Sequence, residues 1–325
     1  MKIGALQEVI IDADSRRYII IYTRRTIPII YRYTYEESFT MKVHVLASGS
    51  TGNAVLFQFG ESKILVDAGI SCRRIEHGLQ AIGTRAGELD AVLLTHEHTD
   101  HIKGLDVFIR KYQLPVFTRP ATWSRIDCRK KFPGECIKEM EGTFSLGRVL
   151  IEPFAISHDA IDPVGFCFYY GKRKAVIATD LGMVSREVEQ ALSFTDIAVL
   201  ESNHDPQMLK NGPYPPYLKK RIEGREGHLS NFDTARLLSS VPRHNPMQVL
   251  LAHISQQNNH PMLAQQTVSK IMQDSGCEVG REIGIYPTFP HHGISCTMTR
   301  AFAVNAPLFQ WADLLAKQDG RGKAN

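Results

Sequence analysis

A chain of 325 residues with 43% apolar side chains can bury one large core, which predicts a main domain of roughly 230 to 250 residues with tails. The formal charge of +4 permits a polyanionic partner but lacks the dense Lys/Arg clustering that would by itself argue for one. Six cysteines, Cys72, Cys128, Cys136, Cys167, Cys277 and Cys296, contain no CxxC pair, so neither a zinc ribbon nor a disulfide scaffold is indicated.

Residues 1–40 are rich in Ile, Tyr and Arg without a clear period. Their apolar runs, Tyr18 to Tyr22 and Ile27 to Tyr31, are split by Arg24, Arg25 and Pro28. No run approaches the ~20 residues of a membrane span, so a cytoplasmic protein without membrane contact is expected. This segment reads as an N-terminal extension or a mis-assigned start, and the main domain is expected over 41–273. Met41 opens a patterned strand, Lys42 to Leu46. Strands at Ala54 to Phe59 and Ile64 to Asp67 flank the turn formers Gly60-Glu61-Ser62, as in a hairpin. A helix follows over Ser71 to Ile82, then a buried strand at Ala91 to Leu94 and an amphipathic stretch from Ile102 to Tyr112. The second half repeats the style. Strands are predicted at Val149 to Ile156, Gly165 to Tyr170, Ala175 to Thr179, Ile197 to Leu200 and Val249 to Ala252. Helices are predicted at Ser185 to Leu192, Asn231 to Ser239 and Met262 to Met272. Two β-rich halves with covering helices predict a four-layer α/β/β/α sandwich. After Ser275 the pattern fades into Gly, Pro, His and Thr, so 274–325 is expected to be irregular and 318–325 disordered.

The densest chemistry is Thr95-His96-Glu97-His98-Thr99-Asp100-His101, three imidazoles and a carboxylate on one loop after a buried strand. Imidazole nitrogen and carboxylate oxygen are ligands for Zn²⁺. Further ligands are expected at later strand ends, where His158, Asp180 and His253 each follow an apolar run. The other histidines, His44, His77, His204, His244, His260, His291 and His292, lack such context and are expected mostly on the surface.

The order HxHxDH, later His, later Asp, last His, with Val66-Asp67-Ala68-Gly69 ahead of it, resembles the metallo-β-lactamase superfamily over residues 41 to 273. That resemblance implies two divalent metal ions, zinc expected and manganese the alternative. His96, His98 and His158 would hold one, Asp100, His101 and His253 the other, and Asp180 would bridge them. Asp67 would orient a ligand histidine from behind. It also implies hydrolysis by a hydroxide made from bound water and oriented by Asp100.

A second motif, Glu226-Gly227-His228-Leu229-Ser230-Asn231, precedes a predicted helix. A helix N-terminus beside such a centre suits phosphate, and His228 is placed to protonate a leaving oxygen. This loop is similar to that of ribonuclease Z-like phosphodiesterases. The 73 positions from Asp180 to His253 are too few for the inserted domain of β-CASP nucleases. The stretches Leu46 to Asn53, Ala178 to Gly182, Leu200 to Asp205, Lys219 to Ile222 and Gly227 to Asn231 together resemble the YycJ (WalJ) group. That resemblance implies a nuclease, a 5′ to 3′ exonuclease acting on DNA. Ser48, Asn53, Asn203, Ser230 and Asn231 are the candidate substrate-binding residues, with His204 a weaker one and Lys219, Lys220, Arg221 and Arg225 as candidate grips on a nucleic-acid backbone. The competing readings are a thioesterase or small-ester hydrolase of the glyoxalase II type and a non-catalytic regulatory module. No protein partner is deducible.

Overall fold

The computed structural model describes residues 7–13, 16–23, 26–33, 40–243, 246–290 and 293–298. Its internal contacts divide the chain into two units, Met1–Phe39 with Thr299–Asn325, and Thr40–Met298. In the first, where sequence shows no period, strands β1 (Gln7–Ala13), β2 (Arg16–Thr23) and β3 (Thr26–Tyr33) form an antiparallel meander. The disorder expected for 318–325 lies outside the described residues.

In the second unit the apolar runs become two seven-stranded sheets. One is built from β4 (Met41–Ala47), β5 (Ala54–Phe59), β6 (Ser62–Val66), β7 (Ala91–Leu93), β8 (Val116–Thr118) and β9 (Ile137–Glu139). The other contains β10 (Phe144–Leu146), β11 (Val149–Ala155), β12 (Val164–Tyr170), β13 (Arg173–Ala178), β14 (Ile197–Glu201), β15 (Met247–Ala252) and β16 (Ile283–Pro287). The final strand, β17 (Ile294–Met298), returns to the first sheet and pairs with β4. Each sheet begins as antiparallel hairpins and turns parallel, from β6 to β9 and from β13 to β16.

Parallel neighbours need crossovers, and helices supply most of them. They are α1 (Cys72–Ala81), α2 (Thr99–Ile102), α3 (Leu105–Tyr112), α4 (Pro120–Arg125), α5 (Arg186–Leu192), α6 (Pro206–Asn211), α7 (Pro216–Ile222), α8 (Asn231–Ser240) and α9 (Pro261–Asp274). Ser71, Ser185 and Ser230 start α1, α5 and α8 by accepting a backbone N–H at the third helical residue. Between the sheets the phenyl rings of Phe57 on β5 and Phe168 on β12 stack with centroids 4.5 Å apart. Two outer cores lie under the helices, one around Ile75, Phe108 and Trp123, the other around Val188, Leu238 and Val268. The expected α/β/β/α layering is what forms.

Two expectations need correction. The amphipathic stretch read over Ile102 to Tyr112 is continuously helical only from Leu105, Gly104 parting α3 from the short α2. The Gly104 N–H reaches the Ala68 carbonyl at 2.7 Å, and a Cβ at Gly104 would stand 1.9 Å from the Ile70 carbonyl oxygen. Gly69 is equally tight, its hypothetical Cβ 1.6 Å from the Asp100 carbonyl oxygen, so the two site loops are pressed together at glycines. The stretch after Ser275 is not irregular throughout, since β16 and β17 each close one edge of a sheet. Among the described residues no helix is long and apolar enough to cross a membrane.

Candidate metal centre

The strand ends β6, β7, β13, β14 and β15 lead into one cluster of ionisable side chains. At three of them the first or second residue beyond the strand has a left-handed backbone: Asp67 (φ 61°), Asp180 (φ 62°) and His253 (φ 51°). Each such non-glycine residue costs about 1 kcal/mol or more, a strain typically held at functional sites.

The loop after β7 contributes His96, His98, Asp100 and His101. His98 Nδ1 lies 3.3 Å from His158 Nε2, and these two with His96 form one converging set. Asp100, His101 and His253 form a second, with Asp100 Oδ2 3.4 Å from His253 Nε2 and 3.6 Å from His101 Nε2. Asp180, almost wholly buried, stands between them. Its Oδ1 is 3.7 Å from His158 Nε2 and 3.5 Å from His253 Nε2, and its Oδ2 is 3.2 Å from His101 Nε2.

The donors fit metal ions. Ligand atoms at the corners of a tetrahedron with ~2.1 Å bonds lie ~3.4 Å apart, the spacing that recurs here. The Nε2 of His96 is buried with no hydrogen-bond partner, as a nitrogen reserved for a cation would be. Burial alone would depress the basicity of His101 and His253. The surrounding carboxylates, Asp67 and Asp180 for His101 and Asp180, Asp100 and Glu201 for His253, outweigh it and hold both well above the usual range. Burial and the neighbouring His101 push His96 the other way, well below its usual value.

Behind the ligands lies a bracing layer. Asp67 Oδ2 meets His101 Nδ1 at 2.8 Å, and its other oxygen accepts the Thr95 N–H at 2.9 Å. Sequence reasoning gave Glu201 no role. Its carboxylate, fully buried at the end of β14, meets four nitrogens: the N–H of Leu181 at 2.7 Å and of Leu229 at 3.1 Å, and Nδ1 of His228 at 2.9 Å and of His253 at 3.0 Å. A carboxylate that only accepts requires both imidazoles to carry the Nδ1 proton, which turns Nε2 of each away from Glu201. The signal in sequence was an acid closing the apolar run Ile197-Ala198-Val199-Leu200. Asp159 was also missed. Its Oδ1 is buried without a hydrogen-bond partner, 3.4 Å from His158 Nε2, while Oδ2 takes the Arg221 guanidinium at 2.7 Å.

His228 belongs to the cluster, its ring 5.2 Å from that of His158 and 5.1 Å from that of His253. The expected substrate-binding residues are elsewhere engaged. Ser48 accepts the His253 N–H at 2.7 Å, and Asn53 Nδ2 lies 3.1 Å from His101 Nε2. Asn203 donates to the His253 carbonyl at 2.9 Å, and Ser230 donates to Asp233 at 2.6 Å within the α8 capping box. Asn231 is fully buried, bonded to Ser202 and Asn259. Ser48, Asn53 and Asn203 thus bond to the loops that carry His101 and His253, while Ser230 and Asn231 bond at the start of α8 and to Ser202 and Asn259. Of the histidines expected on the surface, His44 and His204 are buried, His260 caps α9, and His244, His291 and His292 lie outside the described residues.

This layered fold, with ionisable side chains gathered at its strand ends, is that of the metallo-β-lactamases, and the beta-lactamase superfamily domain model matches residues 62–254. The chain belongs to that superfamily and is a metal-dependent hydrolase. Within it the chain is similar to the exodeoxyribonuclease YycJ of Bacillus anthracis, 37% identical over 252 residues, 76% of this chain and 94% of that one. It is 35% identical over 255 residues to the exodeoxyribonuclease WalJ of Streptococcus pneumoniae, covering 77% of this chain and 94% of the relative. In fold it matches YhfI of Bacillus subtilis, with TM-score 0.60 at 18% identity over 79% of this chain and 99% of that one.

Proposed function

We propose that the chain is a nuclease that hydrolyses phosphodiesters with two divalent ions, zinc expected and manganese the alternative, degrading DNA from its 5′ end in the cytoplasm. The observation that carries this reading is the position of His228. It stands at the edge of the two ligand sets, with Nδ1 bound to Glu201 and one-fifth of its side chain exposed. Two divalent ions would add four positive charges against the two negative ones of Asp100 and Asp180, polarise the phosphoryl oxygens and acidify a water. His96, His98 and His158 would hold one ion, Asp100, His101 and His253 the other, with Asp180 common to both. Asp100 orients the attacking water, while His228, fixed by Glu201, delivers a proton from Nε2 to the departing oxygen. The names of the YycJ and WalJ relatives support DNA as the polymer. The catalytic domain in this reading is the unit Thr40–Met298.

The test is hydrolysis of 5′-phosphorylated and unphosphorylated single- and double-stranded DNA, with matched RNA, by metal-loaded wild type and Asp100→Ala. Metal-dependent loss of nucleotides from the 5′ end, absent in the variant, is the expected result. Intact nucleic acid after incubation with fully metallated protein, alongside thioester cleavage, would replace the reading with the glyoxalase II type.

A further inference from the structure

We propose that the outer face of α7 is a binding surface for single-stranded nucleic acid, on which Tyr217 stacks against an unpaired base and Arg221 holds a neighbouring phosphate beside the metal centre. The proposal rests on the phosphodiesterase reading and adds where, and in what form, the strand is gripped.

Tyr217 has 77% of its surface exposed, the most of any large apolar residue described. A single exposed aromatic is ordinary. This one lies in Tyr214-Pro215-Pro216-Tyr217-Leu218-Lys219-Lys220-Arg221, where two tyrosines lead into a basic run, and Arg225 follows. Prolines at the cap and first position of α7 fix its start, and Ile222 is buried beneath it, so the side chains project from a rigid element. Tyr217 and Arg221 are four residues apart, hence on one face and ~6 Å apart along the axis.

The lower end of this stripe reaches the site. Arg221 Nε and Nη2 both meet Asp159 Oδ2, at 2.7 and 2.5 Å, and the other oxygen of that carboxylate is 3.4 Å from His158 Nε2. With 59% of the Arg221 side chain exposed, the fork retains donors facing water that suit a phosphate oxygen. Past Arg221 the chain turns through Arg225, whose carbonyl accepts from Ser157 Oγ at 2.7 Å, and enters His228. A strand lying along this face therefore passes from the Tyr217 ring over Arg221 to the proposed proton donor. Lys220, three residues from Tyr217 and exposed, adds charge of the sign a phosphate backbone needs. The ring requires a base with a free face, which a continuous duplex does not offer and a single strand does.

The experiment is fluorescence anisotropy of dye-labelled single-stranded and duplex DNA with the full chain, turnover being blocked by Asp100→Ala. Adding Tyr217→Ala is expected to weaken single-strand binding by about five- to hundredfold, while Tyr217→Phe restores it and duplex binding stays unchanged. An oligonucleotide made abasic throughout should bind both backgrounds alike. Arg221→Ala should weaken both forms and lower the salt slope by about one. Single-strand affinity of Tyr217→Ala within twofold of the parent overturns this proposal. If wild type still degrades DNA in that case, the phosphodiesterase reading stands. Equal weakening on duplex overturns the single-strand assignment, and a parent that binds neither form while wild type cleaves none removes both readings.

Discussion

Glu201→Gln leaves volume and shape almost unchanged and removes one charge, which isolates what the carboxylate does. Four nitrogens meet its two oxygens at 2.7 to 3.1 Å, two backbone N–H groups on one oxygen and two imidazole Nδ1 atoms on the other. An amide offers one acceptor oxygen and two N–H donors, so either the backbone pair or the imidazole pair must face a donor. Two buried donors stranded at ~1–3 kcal/mol each give a loss of roughly 4 kcal/mol. For a domain of this size that corresponds to a fall in melting temperature of roughly 8–16 °C. If the amide turns its NH₂ toward the imidazoles, His228 and His253 must shift tautomer or rotate. Metal affinity measured by competition with a chromophoric chelator should then fall with stability, and kcat should fall more than KM rises. A Gln variant that melts within 2 °C of wild type and binds metal equally would refute the four-donor account.

Other consequences follow from the same geometry. Asp67→Asn is expected to weaken metal binding by about 10- to 100-fold, read by titration of the metal-free protein, because one amide oxygen cannot accept from both the Thr95 N–H and His101 Nδ1. Gly104→Ala places a Cβ 1.9 Å from a backbone oxygen and should cost several kcal/mol, seen as loss of soluble protein or a much lower denaturation midpoint. Chelation should lower the melting temperature and zinc restore it, free metal at 100 times Kd contributing ~2.7 kcal/mol; a melting temperature indifferent to chelator would contradict the site. On the surface, Glu76 of α1 is held down to about 2 by hydrogen bonds from Lys111 and Tyr112 of α3. Its folded value lies below the unfolded one, so its contribution is present above the unfolded pKa of ~4.3 and is lost as pH falls toward about 2. Glu76→Gln should therefore cost no more than ~1 kcal/mol at pH 7, with the gap to wild type closing over that acid range in urea denaturation.

The strand ends that converge on the cluster were legible because each places a polar side chain straight after an apolar run, a local pattern. Glu201 was not, because a strand residue at the end of a buried run reads as a boundary; its role depends on His228 and His253, which only the tertiary fold brings to it. Asp159 failed for the same reason, its partner Arg221 being 62 positions away. The break between α2 and α3 escaped notice since amphipathic periodicity runs through Gly104, and only the approach of Ile70 demands a glycine there. β16 and β17 are short edge strands among glycine and proline, where periodicity has too few residues to register. The hydrogen bonds of Ser48, Asn53 and Asn203 to the site loops were not legible, because Ser and Asn look alike in sequence whether they touch a substrate or hold the residue that does.

The hydrogen bond from the His253 N–H to Ser48 joins groups 205 residues apart and closes the loop after β15 onto the turn between β4 and β5. In synthesis this makes the centre a late event. A partly made chain that already carries the loop from His96 to His101 still lacks both His253, the last proposed ligand, and the hydrogen bond that seats it. On the proposed ligand assignment, a chain ended before His253 lacks one ligand of the second set and is expected to be inactive, which assay of a truncated chain would test.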